Sequence, residues 1–104
     1  MPVTIDEIAE RLGPIVKALG AERAIVFGSL ARGTQDQHSD LDLLIIDDED
    51  LPYLRRLDKY FTAISSVFPM PVELFIYRRQ ELEGMREGAF LAKALAEGIT
   101  VYES

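Results

Sequence analysis

Cysteine is absent from this chain of 104 residues. Its absence excludes disulfide bonds and thiolate metal sites, and it favours an intracellular, cytoplasmic location. The chain also lacks a basic excess, since 11 Lys and Arg residues stand against 18 Asp and Glu residues, for a formal net charge of −7. A dedicated DNA- or RNA-binding module usually carries a basic face, so no direct contact with nucleic acid is expected. The acidic balance instead suits a protein that concentrates metal cations or docks on a basic partner.

Long apolar runs are missing as well. No basic segment followed by a long apolar one stands at the start of the chain, so no signal peptide is predicted. The apolar runs are far shorter than a membrane span, so no membrane association is expected. Hydrophobic residues nevertheless make up 48 % of the sequence, which is enough for one core. Residues 1–104 contain no linker or repeat and are predicted to form a single small domain.

The hydrophobic periodicity predicts helices and strands in alternation. Helices are expected at 4–19, 53–68 and 79–97, strands at 24–27, 41–46, 72–77 and 99–102, a turn or short helix at 29–33, and a polar loop at 34–39. Gly13-Pro14 is a point where the first helix could break, because proline clashes with the preceding turn. The pattern predicts an α/β (α+β) fold, with a small mixed sheet of three to four strands flanked by helices.

Asp40 and Asp42 stand one residue apart at the start of the apolar run 41–46. Residues two apart on a strand point to the same face, about 7 Å from each other, so the two carboxylates are expected to project together. Such a pair raises one pKa unless a cation lies between its members. A divalent ion relieves the repulsion better than His38 or Arg32, and ligands that are all oxygen favour Mg²⁺ or Mn²⁺.

Gly28 and Ser29 follow the first predicted strand. Glycine lets the backbone approach a ligand closely, and a short helix that begins at Ser29 would offer free N–H groups to phosphate. The first two strands must run antiparallel if this turn is to face the aspartates. A crossover through helix 53–68 makes the third strand parallel to the second, which brings Glu73 to the same end of the sheet. Three carboxylates beside a phosphate-binding turn are what two-metal phosphoryl transfer requires.

Residues 28–43 are similar to a known signature. Gly28-Ser29, Ala31-Arg32-Gly33 and Ser39-Asp40-Leu41-Asp42-Leu43 resemble the G-S…A-R-G…S-D-x-D-L pattern of the DNA polymerase beta-like nucleotidyltransferase superfamily. The small size and the ending Glu97–Tyr102 resemble its minimal nucleotidyltransferases, the MNT proteins. The resemblance covers nearly the whole chain and implies a polymerase beta-like core.

The resemblance implies an activity and a role for each matching residue. Such proteins transfer a nucleoside monophosphate from a nucleoside triphosphate to an acceptor hydroxyl and release pyrophosphate. Gly28 and Ser29 would hold the triphosphate, Asp40 and Asp42 would bind both catalytic Mg²⁺ ions, and Glu73 would bind one ion and help to activate the hydroxyl. The remaining nucleotide contacts would be Arg32 and Ser39. The third acid is most often Asp in this superfamily, and Glu73 is one methylene longer.

The resemblance also implies a partner. Minimal members are commonly encoded beside an all-helical HEPN protein, in toxin–antitoxin pairs in which the nucleotidyltransferase silences the HEPN ribonuclease by attaching AMP to a tyrosine. AMP transfer from ATP to a tyrosine of a HEPN-type toxin is therefore the implied function. One alternative is a catalytically weak or inactive antitoxin that neutralises its partner by binding. Transfer to a small molecule such as an aminoglycoside ranks last, because the chain has almost no residues to spare for a drug-binding element.

Several site residues have simpler interpretations. Ser29 and Ser39 could be caps or turn residues, Arg32 could form a surface ion pair, and Glu73 could be a charge that protects an edge strand.

Three other groups of residues are also interpreted structurally. The acidic segment 47–50 has the composition of a metal site but is more typical of a solvated strand end and helix cap. Tyr53, Tyr60 and Phe61 are predicted to lie mostly in the core. Packing is likewise the expected role of Tyr77 and Tyr102.

Overall fold

A computed structural model describes residues 3–33, 40–85, 92 and 95–104. Helices and strands alternate in it as the periodicity predicts. Their order is α1 (Ile5–Leu19), β1 (Arg23–Phe27), α2 (Ser29–Arg32), β2 (Leu41–Ile46), α3 (Tyr53–Ser65), β3 (Val72–Tyr77), α4 (Arg79–Met85) and β4 (Ile99–Glu103). None of the helices in these described ranges is both long enough and apolar enough to cross a bilayer.

Helix α1 has a defined residue at each end. The Thr4 side chain caps its start by accepting a hydrogen bond from the Glu7 backbone N–H at 3.1 Å. Gly20 ends it in the left-handed conformation with φ 89°. Pro14 lies inside the helix, so the break considered at Gly13-Pro14 does not occur. Burial of one apolar stripe offsets the hydrogen bond that proline cannot donate, and that stripe contains Ile8, Leu12 and Val16.

The four strands form one mixed sheet in the order β3-β2-β1-β4. Strand β1 is antiparallel to both β2 and β4, and β2 is parallel to β3. Both predicted directions, antiparallel for the first strand pair and parallel for the second, are therefore confirmed. Helix α3 provides the crossover that a parallel pair needs.

Alternate strand residues face different layers, and this decides where the acidic residues project. Leu41, Leu43 and Ile45 of β2 belong to the larger core, which also contains residues of α1 and α3. Leu44 and Ile46 belong to a second cluster on the opposite face, together with Leu82 of α4. Side chains two apart on a strand share a face, so Asp42 projects on the α4 side of the sheet.

The exposure of the aromatic residues on α3 differs from the prediction in part. Tyr60 is fully buried, as predicted, but Tyr53 and Phe61 are 38 % and 47 % exposed. Their predicted core position was wrong because a helix that lies on a sheet buries only one stripe and turns its other side chains to solvent. The helix also ends at Ser65, before the predicted boundary at 68.

The predicted helix 79–97 is described only in part. Helix α4 spans Arg79–Met85, and residues 95–97 are again helical. Residues 86–91, 93 and 94 lie outside the described residues, and so do residues 34–39 of the predicted loop.

Asp47, the first residue of the acidic segment 47–50, is buried rather than solvated. Its carboxylate accepts hydrogen bonds from the Tyr60 hydroxyl at 2.5 Å, from Lys59 Nζ at 2.7 Å and from the Glu49 backbone N–H at 2.9 Å. The segment does not cap α3 either, since Pro52 is the N-cap and makes no side-chain cap hydrogen bond. Asp47 instead joins the end of β2 to the middle of α3.

Candidate active site

The end of β1 and the starts of β2 and β3 meet at one end of the sheet. Phe27 pairs with Asp42 in the antiparallel ladder, and Asp42 pairs with Glu73 in the parallel ladder. Neighbouring strands lie about 4.8 Å apart, so the Asp42 and Glu73 side chains project side by side from the same face. Glu73 thus lies where the sequence predicted it, beside an aspartate of the pair.

The Asp42 and Glu73 carboxyl groups share a hydrogen bond. Two carboxyl groups can do this only when one of them carries a proton. Burial raises the pKa of Asp42 to about 6, together with the hydrogen bond and charge of Glu73 and the charge of Asp40, while Arg32 opposes the increase. A cation between the two carboxylates would remove the need for that proton.

Asp40 lies just before β2 and is exposed. The alternation that was expected to align it with Asp42 does not extend to it, because residue 40 is outside the strand. Asp40 is close enough to raise the pKa of Asp42 by its charge. Among the described residues, however, no three carboxylate or imidazole side chains converge as they would around a metal ion. The structure brings Asp42 and Glu73 together. A site that also includes Asp40 stays a prediction.

Gly28 lies directly against Asp42. Its φ is +73°, a conformation that other residues rarely adopt, and a Cβ built there would overlap Asp42 Oδ2 and lie 3.2 Å from Cγ. Only glycine leaves room for the carboxylate at this approach. The phosphate-binding turn predicted from the sequence is therefore in contact with one of the predicted metal ligands.

Ser29 follows this glycine and begins α2, a single turn in which the Arg32 N–H donates to the Gly28 carbonyl at 3.1 Å. The turn predicted at 29–33 is thus helical over Ser29–Arg32. Ser39 and His38 lie outside the described residues, so the predicted nucleotide contact at Ser39 stays a prediction.

The ion pair considered as one interpretation of Arg32 is present. Arg32 Nη1 lies 3.2 Å from Glu97 Oε2, and the two side chains are 44 % and 36 % exposed. Sequence reasoning did not identify Glu97 as a neighbour of the site. No local signal could have found it, since the two residues are 65 positions apart and only the return of the chain into β4 brings them together.

The donor set of this site fits a hard divalent cation. Its side chains offer only carboxylate oxygens as ligands, and Asp42 and Glu73 are paired in register on adjacent strands. Burial, and to a smaller extent the carboxylates of Glu73 and Asp40, raise the pKa of Asp42, and a bound cation would oppose that increase by stabilising the charged carboxylate. Asp42 and Glu73 are the residues that would hold such an ion.

Three comparisons with known proteins agree with this geometry. A nucleotidyltransferase domain family matches residues 5–96. A Methanocaldococcus jannaschii protein, provisionally named as a protein adenylyltransferase, is 42 % identical over 43 residues, which are 41 % of this chain and 46 % of that protein. The matched part thus spans about half the length of this curated relative.

Two solved structures share the fold. A toxin–antitoxin crystal structure with AMP-PNP has a TM-score of 0.66 and 16 % identity, over 92 % of this chain and 73 % of that chain. A provisionally named nucleotidyltransferase from Sulfolobus solfataricus has a TM-score of 0.55 and 18 % identity, over 77 % of this chain and 75 % of that chain. The family match covers most of the sequence, and the fold and the turn beside Asp42 agree with it. The chain belongs to the nucleotidyltransferase domain family.

Proposed function

We propose that this protein transfers AMP from ATP to a hydroxyl group of a partner protein. One observation carries the proposal: Gly28 contacts Asp42, and Asp42 is paired in register with Glu73. A turn suited to phosphate thereby lies beside paired carboxylates suited to divalent ions. Membership of the nucleotidyltransferase family supports the reaction class, and the name of the Methanocaldococcus jannaschii relative supports a protein as acceptor.

Two divalent ions, Mg²⁺ or Mn²⁺, would supply charge stabilisation for the attacking and leaving oxygens. Asp42 and Glu73 would hold them, and Asp40 would join this set once its side chain turns toward the pair. The backbone at Gly28 and Ser29 would receive the triphosphate, with Arg32 and Ser39 as further nucleotide contacts.

The reaction would form one bond and break one bond. The acceptor oxygen attacks the α-phosphorus of ATP, and the bond from that phosphorus to the bridging oxygen of the β-phosphate breaks, so pyrophosphate leaves. Glu73 is exposed at the end of the sheet and would accept the proton of the acceptor hydroxyl. In-line displacement of this kind depends mainly on positioning and on electrostatic stabilisation.

The proposed acceptor is a tyrosine of a HEPN-type toxin. The fold likeness to a toxin–antitoxin structure supports a protein partner, and the formal charge of −7 suits a basic one. The HEPN identity and the tyrosine are carried over from the resemblance of residues 28–43 and 97–102 to minimal nucleotidyltransferases.

Transfer of label from α-³²P-ATP to the protein encoded beside this one tests the proposal. In the presence of Mg²⁺ we expect the wild type to label the partner, and peptide mapping to find the label on a tyrosine. Asp42→Asn and Glu73→Gln should abolish the labelling. Asp58→Asn is the matched control, because Asp58 is an exposed carboxylate on α3 and should leave labelling unchanged. Labelling that persists in Asp42→Asn would contradict the proposal.

Neutralisation of the partner by binding alone is the second candidate function. It is favoured by one observation, that no three of the described carboxylate or imidazole side chains converge around a metal position. A double variant, Asp40→Ala with Asp42→Ala, separates the two functions. Growth rescue that survives both substitutions would favour neutralisation by binding, and its loss with retained partner binding would favour transfer.

A further inference from the structure

The Arg32–Glu97 ion pair connects two segments at the end of the sheet where the candidate active site lies. Arg32 is the last residue of α2, the turn that begins next to Gly28. Glu97 stands shortly before β4, whose first residue, Ile99, pairs with Val26 near the end of β1. Both side chains therefore lie on the β1–β4 side of the site.

Only one nitrogen of the Arg32 guanidinium is occupied by this pair. Nη1 donates to Glu97 Oε2 at 3.2 Å, and within the described part of the chain the other two nitrogens make no hydrogen bond. A guanidinium has five N–H donors in a rigid plane, so the residues that the structure describes leave an edge of Arg32 open. Such an edge matches the spacing of phosphate oxygens and binds them with two parallel hydrogen bonds.

Arg32 lies near enough to the paired carboxylates for its charge to act on one of them. Its positive charge acts on Asp42, where it opposes the increase in pKa that burial and Glu73 cause. A phosphate group between the Gly28 turn and Asp42 would lie within reach of the same charge. A long and half-exposed arginine, however, loses rotamer freedom when it binds, unless another group already restricts it.

We propose that Glu97 is a positioning residue, which orders the Arg32 guanidinium so that its open edge binds the phosphates of the nucleotide. The inference rests on the proposed function, because it assumes a nucleoside triphosphate at the Gly28 turn. Glu97 has a second, opposite effect, since its negative charge repels phosphate and competes for Arg32. Ordering prevails here because Glu97 occupies a single nitrogen and leaves the rest of the fork available.

Calorimetric titration of the full chain with AMP-PNP and Mn²⁺ tests this inference. We expect Glu97→Gln to weaken binding about 3- to 10-fold, and Arg32→Gln, which removes the charged donors, to weaken it about 10- to 100-fold. The double variant should bind no more weakly than Arg32→Gln, because Glu97 acts through Arg32. Glu10→Gln changes the net charge equally at an exposed position of α1 and should bind as the wild type does.

Two further measurements separate positioning from a structural role. The Tm of Glu97→Gln should match that of the wild type, since an ion pair this exposed contributes little to stability. In the transfer assay, the KM for ATP should rise while kcat stays nearly constant. A large fall in Tm, or a fall in kcat without a change in KM, would overturn the inference.

The remaining outcomes are also decisive. Tighter or unchanged binding by Glu97→Gln, with clear binding by the wild type, would overturn the positioning role alone and would mean that competition for Arg32 prevails. Wild-type binding by Arg32→Gln would overturn it as well. No binding of AMP-PNP and Mn²⁺ by the wild type would overturn both the inference and the proposed function.

Discussion

The backbone at Gly28 lies directly against Asp42, one of the candidate metal ligands. Gly28→Ala should lower the free energy of unfolding by about 2–4 kcal/mol, because left-handed strain adds to the overlap of the new Cβ with Asp42 Oδ2. The displaced carboxylate should also weaken the binding of AMP-PNP and Mn²⁺. Urea unfolding and calorimetry measure the two effects.

Gly33→Ala is the control for that substitution. Gly33 has the same φ of +73°, but a Cβ built there meets no atom of the described residues within 4 Å. Gly33→Ala should therefore lower the free energy of unfolding by about 1–2 kcal/mol, from backbone strain alone, and should retain nucleotide binding. Equal effects of the two substitutions would show that contact with Asp42 is not the reason for glycine at position 28.

The charged Asp42 carboxylate is expected to reduce the free energy of unfolding at neutral pH, because of its position in the site. Its pKa is raised to about 6 from an ordinary value of 3.8, so the folded state binds a proton more tightly than the unfolded chain does. This contribution destabilises the protein above the folded pKa and vanishes below the unfolded one. Asp42→Asn should therefore raise the free energy of unfolding by about 1–2 kcal/mol at about pH 7.5, a value discounted for solvent screening.

Urea unfolding in metal-free buffer across a pH series checks this prediction. The gain from Asp42→Asn should shrink as the pH falls from about 6 to about 4, because the wild-type carboxyl then takes up its proton. Asp58→Asn, at an exposed carboxylate far along α3, should show no such profile. A gain that is constant over the whole series would contradict the assignment.

At the scale of secondary structure elements, Asp47 is the contact that holds α3 against the end of β2. Burial alone would raise the pKa of Asp47, but hydrogen bonds from Lys59 and Tyr60 outweigh burial and lower that pKa below its ordinary value. Burial and the hydrogen bond to Asp47 raise the pKa of the Tyr60 hydroxyl far above its usual range, so Tyr60 remains a donor. The network therefore stabilises the fold above the unfolded pKa of Asp47 and loses this effect as the pH falls through the folded pKa.

Asp47→Asn should accordingly lower the free energy of unfolding by about 1–3 kcal/mol near neutral pH, because Lys59 loses its buried charged partner and keeps only the more distant and more exposed Glu49. The difference from the wild type should diminish below about pH 4, because Asp47 of the unfolded chain then takes up a proton while the folded carboxylate, whose pKa is lowered, still resists protonation. Tyr60→Phe should lower the free energy of unfolding by about 1–2 kcal/mol, because Asp47 loses the hydroxyl donor. Tyr53→Phe is the matched control on the same helix and should be neutral. Urea unfolding at several pH values distinguishes these profiles.

Features that depend on neighbouring residues were predicted correctly, whereas features that depend on how one element packs on another were not. The Thr4 cap, the Gly20 end of α1 and the stripe around Tyr60 follow from local rules, and each was read from neighbouring residues. The exposure of Phe61 was not predicted, because Phe61 is more apolar than its neighbour Tyr60 and only the placement of α3 on the sheet decides which of the two is buried.

At the scale of the whole molecule, the formal charge of −7 repels itself in the compact state. Added NaCl should therefore raise the Tm slightly by screening that repulsion. Mn²⁺ at matched ionic strength should give a further, specific increase in Tm and in the free energy of unfolding, because it binds the folded site. At Mn²⁺ concentrations ten to a hundred times its Kd, the free energy of unfolding should rise by about 1.4–2.7 kcal/mol.

Asp42→Asn should keep the response to NaCl and lose the additional response to Mn²⁺. The comparison separates screening over the whole surface from binding at one site. An equal response to Mn²⁺ in the variant and the wild type would indicate that the ion binds elsewhere on the acidic surface.

The sequence by itself determined the order of the elements, the directions of the first three strands and the family to which the chain belongs. Periodicity, caps and turn residues are local, and the spacing from Gly28 to Asp42 and the crossover before Glu73 leave few topologies open. The tertiary structure alone decided that Asp42 pairs with Glu73 while Asp40 stays outside β2, and that Arg32 meets Glu97. Strand register and the return of β4 join residues far apart in the chain, and no local pattern records which side chains then come into contact.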